Sequence, residues 1–284
     1  MGSEKNNEAD LRDRIEATIQ RSGAEAASVA FHDYETDRHF SFHGDRWMHA
    51  ASTIKVPVLV GVFAAIEDQD LTLSSRVHVR NKFYSVVDGT AYRVESGRDA
   101  NAEVHGYIGK TMKLSDLAHH MIVTSSNLAT NLLLDAVGID RVRRTLDDLG
   151  VSGVELRRGV EDERAFEEGI NNRVTAEGLV QVLRLIEEKK ALSAASCDRM
   201  LEILHQQEFR SGIPAGLPED ARVANKTGEI STVAHDTGLV YLPGRQPYAL
   251  AILTEWSADR TAGRRETLAT ISRAIYEHLT GKSS

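Results

Sequence analysis

Leu11, Ile15 and Ile19 recur at helical spacing and stop before Gly23, so residues 9 to 21 are expected to form a helix. The period then changes. "ASVAFHDY" and "HFSFHG" flank the polar "ETDR" as a pair of strands would flank a turn. From Ser52 to about Ala194 helical periodicity dominates, over 53–67, 114–122, 126–136, 139–149 and 175–189, with few strands. Strand patterns return at "ARVANKT", "HDTGLVYL" and "YALAILTE", and a helical run covers 259–279. This order predicts an α/β (α+β) fold: an antiparallel sheet built from both chain ends, flanked by helices, with an all-helical domain inserted. The expected boundaries are 1–51 plus 205–284 for the α/β domain and 52–204 for the helical one.

Composition narrows the function. The chain has 284 residues, of which 41% are hydrophobic and 27% charged, with a formal net charge of -8. That balance argues against a phosphate-tracking surface, so no nucleic-acid partner is expected. No apolar run reaches the roughly 18 to 20 residues of a membrane span. The N-terminus "MGSEKNNEADLRDRIEATIQ" lacks the apolar region and cleavage site of a secretory signal. As written, the chain is expected to be cytoplasmic, monomeric and free of membrane; if "MGS" is a cloning remnant on a trimmed chain, the expectation becomes export. The single Cys197 excludes an internal disulfide and suits a reducing compartment. Repeats, low-complexity segments and linkers are lacking.

Three short motifs fall at the seams of this layout. In "HAASTIKVPVLVGVFAAIEDQ" Ser52 and Lys55 open an otherwise apolar helix. In "TSSNLATNLLL" Ser125 and Asn127 stand at the start of another, and in "NKTGEIS" Lys226, Thr227 and Gly228 end a strand. Each has an ordinary structural account: helix capping for the first two, a glycine turn for the third. By chance a Ser-x-x-Lys is expected about once in such a chain and a Lys-(Ser/Thr)-Gly about 0.2 times. Their joint order is therefore more specific than any one of them.

The set Ser-x-x-Lys, Ser-x-Asn, Lys-Thr-Gly resembles that of the serine β-lactamases and penicillin-recognising enzymes, closest to class A. The resemblance runs from about Val29 to Leu279. It implies a β-lactamase/transpeptidase-like fold, with the active site at the junction of the two domains. It also implies a serine enzyme that works through an acyl-enzyme on a β-lactam or related amide. A D,D-peptidase or esterase of the same superfamily is the alternative, and a non-catalytic sensor acylated once is the reading from another class. Turnover separates the sensor from the enzymes.

A serine needs a neighbouring base, and a lysine is a base only where its charge is disfavoured. Lys55 lies one turn from Ser52 on the same helix face, and a cleft shared with Lys226 is expected to lower its pKa. The N–H of Ser52 would form half of an oxyanion hole. By resemblance, the N–H of Glu229 forms the other half, Ser125 shuttles a proton to the leaving nitrogen and Asn127 holds the substrate amide. Lys226 and Thr227 would bind a substrate carboxylate. The acid side chain of Glu229 would then stand near an anionic ligand.

Two departures stand out. Ser126 occupies the position where class A enzymes usually carry aspartate, so a structural hydrogen bond is expected to weaken. In the loop "LRRGVEDERAFEEGINNRVTAEGL", Glu161 is the candidate deacylating base, yet the fourth residue after it is Ala165 rather than the asparagine of class A. Asp162 and Glu163 are rival carboxylates, and solvated loop charge is the bland reading of all three. A missing base would let the acyl-enzyme persist. "YSVVDGTAY" reads first as turn chemistry, with Asp88 and Tyr92 as lesser candidates for substrate contact. His235 and Asp236 read as strand packing that could also edge the site. Adjacent His119 and His120 do not share a helix face, and neither zinc spacing nor a phosphate loop occurs. No metal and no cofactor are implied.

Overall fold

The computed structural model describes residues 2–282. Its centre is a five-stranded antiparallel sheet of β1 (Ala26–Asp33), β2 (Arg38–Phe42), β3 (Arg222–Ile230), β4 (Val233–Tyr241) and β5 (Tyr248–Glu255). The spatial order is β3-β4-β5-β1-β2, so the two chain ends meet where β1 pairs with β5. The helices are α1 (Gly2–Ser22), α2 (Lys55–Glu67), α3 (Leu114–Val123), α4 (Asn127–Val137), α5 (Ile139–Asp148), α6 (Glu163–Glu167), α7 (Ala176–Glu187), α8 (Ala194–His205) and α9 (Arg264–Thr280).

Period-two alternation sorts the sheet's two faces. Along β5, Tyr248, Leu250 and Ile252 join a core with Leu11 and Ile15 of α1 and Leu268 and Ile271 of α9. The intervening Ala249, Ala251 and Leu253 join the second core, shared with α2, α7 and α8. Bulk lies under the terminal helices, and small residues let α7 lie close on β1 and β5. α2 is apolar all round and buried from Lys55 to Ala65, packed among α3, α4 and α5. Such a helix is a core element rather than a surface one, which fixes its N-terminal end firmly.

Most expected elements are present, and the main differences have local causes. The last helix starts at Arg264 rather than 259, because Gly263 takes a left-handed φ of 79° that ends the preceding turn. The guanidinium of Arg264 gathers the carbonyls of Ile230, Ser231, Ser257 and Arg260 there. α8 was not anticipated, although Cys197, Met200, Leu201 and Leu204 bury one face at helical spacing. Short two- and three-residue strand pairs also interrupt the helical region, at 76–78 with 111–113 and 83–84 with 91–92.

Candidate active site

The first motif does not open the α-helix directly. Ser52 sits in a 3-10 turn, Ala51–Ile54, that runs into α2 at Lys55. The turn is held from below, where Thr53 Oγ1 donates to the Ala50 carbonyl at 2.6 Å and Ala51 N–H donates to His49 Nδ1 at 3.0 Å. Ala51 is bent into the left-handed region at φ 44°. Ser52 is half-buried and faces a cleft, while Lys55, one turn on, is completely enclosed.

The second motif meets Lys55 from the other side. Its Nζ donates to the Ser125 carbonyl at 2.7 Å, to Ser125 Oγ at 3.2 Å and to Asn127 Oδ1 at 2.8 Å. Ser125 also has a left-handed backbone, φ 59°, which turns its hydroxyl and carbonyl back toward the amine. Capping falls to Ser126, whose Oγ accepts from Ala129 N–H at 3.2 Å, so Ser125 and Asn127 are left free for other contacts.

The third motif lies on β3, an edge strand whose open side packs against the 3-10 turn. Gly228 is needed for that approach, because a Cβ there would come within 3.1 Å of the backbone nitrogens of Ser52 and Thr53. Lys226 is fully buried and donates to Ser125 Oγ at 2.9 Å and to the Thr227 carbonyl at 2.8 Å. Two buried amines therefore converge on one hydroxyl. Its amine lies behind Ser125, and the strand presents Thr227, Gly228 and Glu229 to the cleft in front of it. Glu229 lines the cleft, and Arg265 Nε binds its carboxylate at 3.0 Å.

Burial sets the charges. It pushes Lys55 down to about 7, against the pull of Asp99 and Glu161, which favour the ammonium. Burial, and not the neighbouring Lys226, is thus the main cause of the expected lowering. Lys226 is driven well below its ordinary value by burial and then by Lys55, with Asp236 opposing. Asp236 is itself buried and raised to about 6 by desolvation, although Asn225 Nδ2 at 2.9 Å and the Ile213 N–H at 2.8 Å favour its anion.

The loop from Arg158 to Asn172 closes on itself and qualifies as a compact Ω-loop. Asn172 Oδ1 accepts from the N–H groups of Arg157 and Arg158, and its amide donates to the Arg158 carbonyl at 3.0 Å. Asn131 of α4 clamps Val160 through both N–H and carbonyl, at 2.8 and 2.9 Å. Immediately after that clamp Glu161 takes a left-handed φ of 58°, and its Oε1 accepts from Asn127 Nδ2 at 2.7 Å. The rival carboxylates have other partners. Asp162 is buried, caps α6 by accepting from Ala165 N–H and binds the Val86 N–H at 3.1 Å. Glu163 is exposed and pairs with Arg98. Glu161 borders a cavity of about 110 Å³ that shares Arg98 with the main cleft of about 390 Å³.

Comparison with known proteins agrees with the fold. Residues 10–279 match the model of the Beta-lactamase enzyme family. The chain belongs to that family. The β-lactamase ROB-1 of Haemophilus influenzae is 23% identical over 93% of this chain and 83% of its own length. The β-lactamase of Streptomyces fradiae is 24% identical over 96% of this chain and 87% of its own. Among solved structures, a β-lactamase from Sphaerobacter thermophilus superposes with a TM-score of 0.82 at 25% identity, covering 96% of this chain and 98% of that one. PBP-A superposes at 0.81 with 24% identity, over 96% and 97%, and one of its variants was solved as an acyl-enzyme with penicillin G.

Several residues of this family member escaped the sequence reading. Asp99 holds the second motif, and Asn131 and Asn172 hold the Ω-loop; Asp99 and Asn172 sit in polar stretches with no periodic signal, and Asn131 is one polar position inside the apolar helix α4. His235 is buried, with Nε2 donating to the His49 carbonyl at 2.9 Å and Nδ1 accepting from Thr254 N–H at 3.1 Å. Both His49 and His235 are lowered to about 4, chiefly by burial, so neutral rings are built into the wall beneath Ser52. Asp88 does serve its turn, accepting from Thr90 N–H at 2.9 Å. Tyr92 is tucked under the Ω-loop near Gly159 and Asn131. Among the described residues no cluster of three metal-binding side chains occurs, and no helix is long and apolar enough to cross a membrane.

Proposed function

We propose that this chain is a serine hydrolase that opens β-lactams through an acyl-enzyme on Ser52. The observation that carries the reading is the convergence of two buried amines, Lys55 and Lys226, on Ser125 Oγ beside a cleft-facing serine. A neutral Lys55, accessible near pH 7, takes the proton of Ser52 Oγ as that oxygen attacks the lactam carbonyl. The N–H groups of Ser52 and Glu229 face the developing oxyanion. As the C–N bond breaks, Ser125 gives its proton to the leaving nitrogen and is resupplied from the adjacent amines. Asn127 orients the substrate amide, and the Thr227 hydroxyl receives a substrate carboxylate with Lys226 behind it.

Hydrolysis of the resulting ester falls to Glu161. Its Oε1 accepts from Asn127 Nδ2 at 2.7 Å, which ties the carboxylate to the second motif. A water held against the carboxylate gives a proton to Glu161 as the water oxygen attacks the ester carbonyl. Ser52 Oγ then leaves with that proton, relayed from Glu161 through Lys55, so that both groups return to their starting states. Ala165, the fourth residue after Glu161, is buried and apolar where class A enzymes carry an asparagine. This favours a slow second half-reaction, as in a penicillin-binding peptidase or weak β-lactamase. The test is incubation with a chromogenic cephalosporin followed by intact mass. Product in excess of chain, with a transient adduct on Ser52, supports the reading; no adduct and no product would sink it. A stable adduct with a single product per chain would instead favour the acylated sensor.

A further inference from the structure

The carboxylate that Ser126 does not provide reaches the second motif from another segment. Asp99 lies in the loop before the 3-10 turn Val104–Tyr107, and its side chain is wholly enclosed. Oδ1 accepts from Asn127 N–H at 2.8 Å. Oδ2 accepts from Leu128 N–H at 3.0 Å and from Ser126 Oγ at 3.1 Å, and lies 3.1 Å from His105 Nε2. The first two donors are free N–H groups at the start of α4, where the helix dipole favours an anion. The neighbours of Asp99 in sequence, Arg98 and Ala100, both line the cleft.

Ser125 is a non-glycine residue held in a left-handed conformation, a strained state that persists only where surroundings enforce it. Behind it, Ser126 N–H is bonded to the His120 carbonyl at 2.9 Å. In front, the next two N–H groups end on Asp99. We propose that Asp99 is a positioning residue: it locks the turn Ser125–Asn127 against Lys55 and ties that turn to the cleft wall at Arg98 and Ala100. This rests on the reading of Ser52 as the acylated nucleophile. Geometry and charge make two separable demands on it. Without the carboxylate the turn is free to relax, and misplacement of about 1 Å costs on the order of 100-fold. Lys55 also loses one of the two carboxylates that favour its ammonium, leaving Glu161 alone on that side and Lys226 across Ser125.

The experiment compares the parent chain, Asp99→Asn and the double variant Asp99→Asn/Ser126→Asp. Acylation by a fluorescent penicillin is followed against pH, with thermal unfolding measured alongside. Asp99→Asn keeps the shape but turns an amide toward N–H donors. Its acylation should fall about 100-fold, and the rising limb of the pH profile should move below that of the parent, because Lys55 deprotonates more readily. A carboxylate at 126 enters the same space, since Ser126 Oγ is already 3.1 Å from Oδ2. The double variant should therefore regain at least tenfold and return the limb toward its parental position. Acylation within about threefold of the parent in Asp99→Asn would overturn the proposal. So would an unshifted limb with a loss that follows unfolding alone. If Asp99→Asn fails to fold, the double variant decides: fold and acylation recovered together uphold the proposal, and fold without acylation overturns it. A parent chain that takes no label at Ser52 refutes the hydrolase reading instead, before either variant is compared.

Discussion

The two walls of the cleft are built to different standards. On the side of α2, α4 and β3, Lys55 makes three hydrogen bonds and Lys226 two, all inside a closed space. On the Ω-loop side, Glu161 is half-buried and meets the rest through one contact, to Asn127. Buried amines with several partners have little freedom to be elsewhere, whereas a loop carboxylate with a single partner depends on the loop's own closure. The first half-reaction is thus preorganised by the core. The second relies on a segment that could drift without disturbing the core. Comparing variants on the two walls tests that asymmetry directly.

Removing the nucleophile gives the largest effect. Ser52→Ala should abolish covalent labelling by a fluorescent penicillin, because Ser52 is the hydroxyl that faces the cleft one turn before Lys55. Labelling that survives would place the nucleophile elsewhere, with Ser125 as the next residue to test.

Lys55→Ala should slow acylation by about 10² to 10⁴, the reach of a positioned base. In the parent chain the acylation rate should climb through an apparent pKa near 7, since the base form exists only above the value to which burial lowers Lys55. The sign is diagnostic. A rate flat from pH 5 to 9 would mean that Lys55 is already neutral throughout or takes no proton.

Lys226 refines the contrast. Its visible partner is Ser125 rather than the cleft, so Lys226→Ala should cost about 10- to 150-fold, the worth of a charge-assisted hydrogen bond. The loss should reach p-nitrophenyl acetate as well as penicillins. A loss confined to carboxylate-bearing substrates would return Lys226 to the binding role that the motif alone suggested.

Those motifs show how much was legible. Period-two and helical patterns gave the sheet from both chain ends, whereas Gly228 read as a turn glycine and its role in the close approach of β3 to Ser52 emerged only from the fold. The residue types of the three motifs named the chemistry, because a serine, a lysine and a glycine at an element boundary have few other reasons to recur together. What stayed hidden was contact between distant segments. Asp99 and Asn127 meet only after the loop folds onto α4, and no periodicity records a hydrogen bond across 28 residues. The environment of Lys226 was hidden for the same reason: its motif was read as a strand end, while its enclosure within β3 depends on Ser125 arriving from the turn before α4.

Glu161 gives the sharpest test of the weaker wall. With penicillins the parent should show a burst of about one product per chain and then a slow steady rate, the mark of an accumulating acyl-enzyme. Glu161→Gln retains an oxygen able to accept from Asn127 Nδ2, so the loop geometry is preserved and the capacity to take a proton is lost. The steady rate should fall about tenfold, below the usual 10² for a general base, because the fourth residue after Glu161 is the apolar Ala165 rather than an asparagine. The burst should be unchanged, as Lys55 keeps its contacts to Ser125 and Asn127. The control is the adjacent carboxylate. Asp162→Ala removes the cap of α6 and should cost about 1 kcal/mol of stability, read as a fall of a few degrees in Tm. Its steady rate should drop no more than that loosening of the loop allows. If Asp162→Ala abolishes the steady phase while Glu161→Gln leaves it intact, the base is Asp162 and the left-handed placement of Glu161 serves the loop alone. If the parent turns over rapidly with no burst, the two walls are equally competent and one contact to Asn127 is enough to hold the hydrolytic carboxylate.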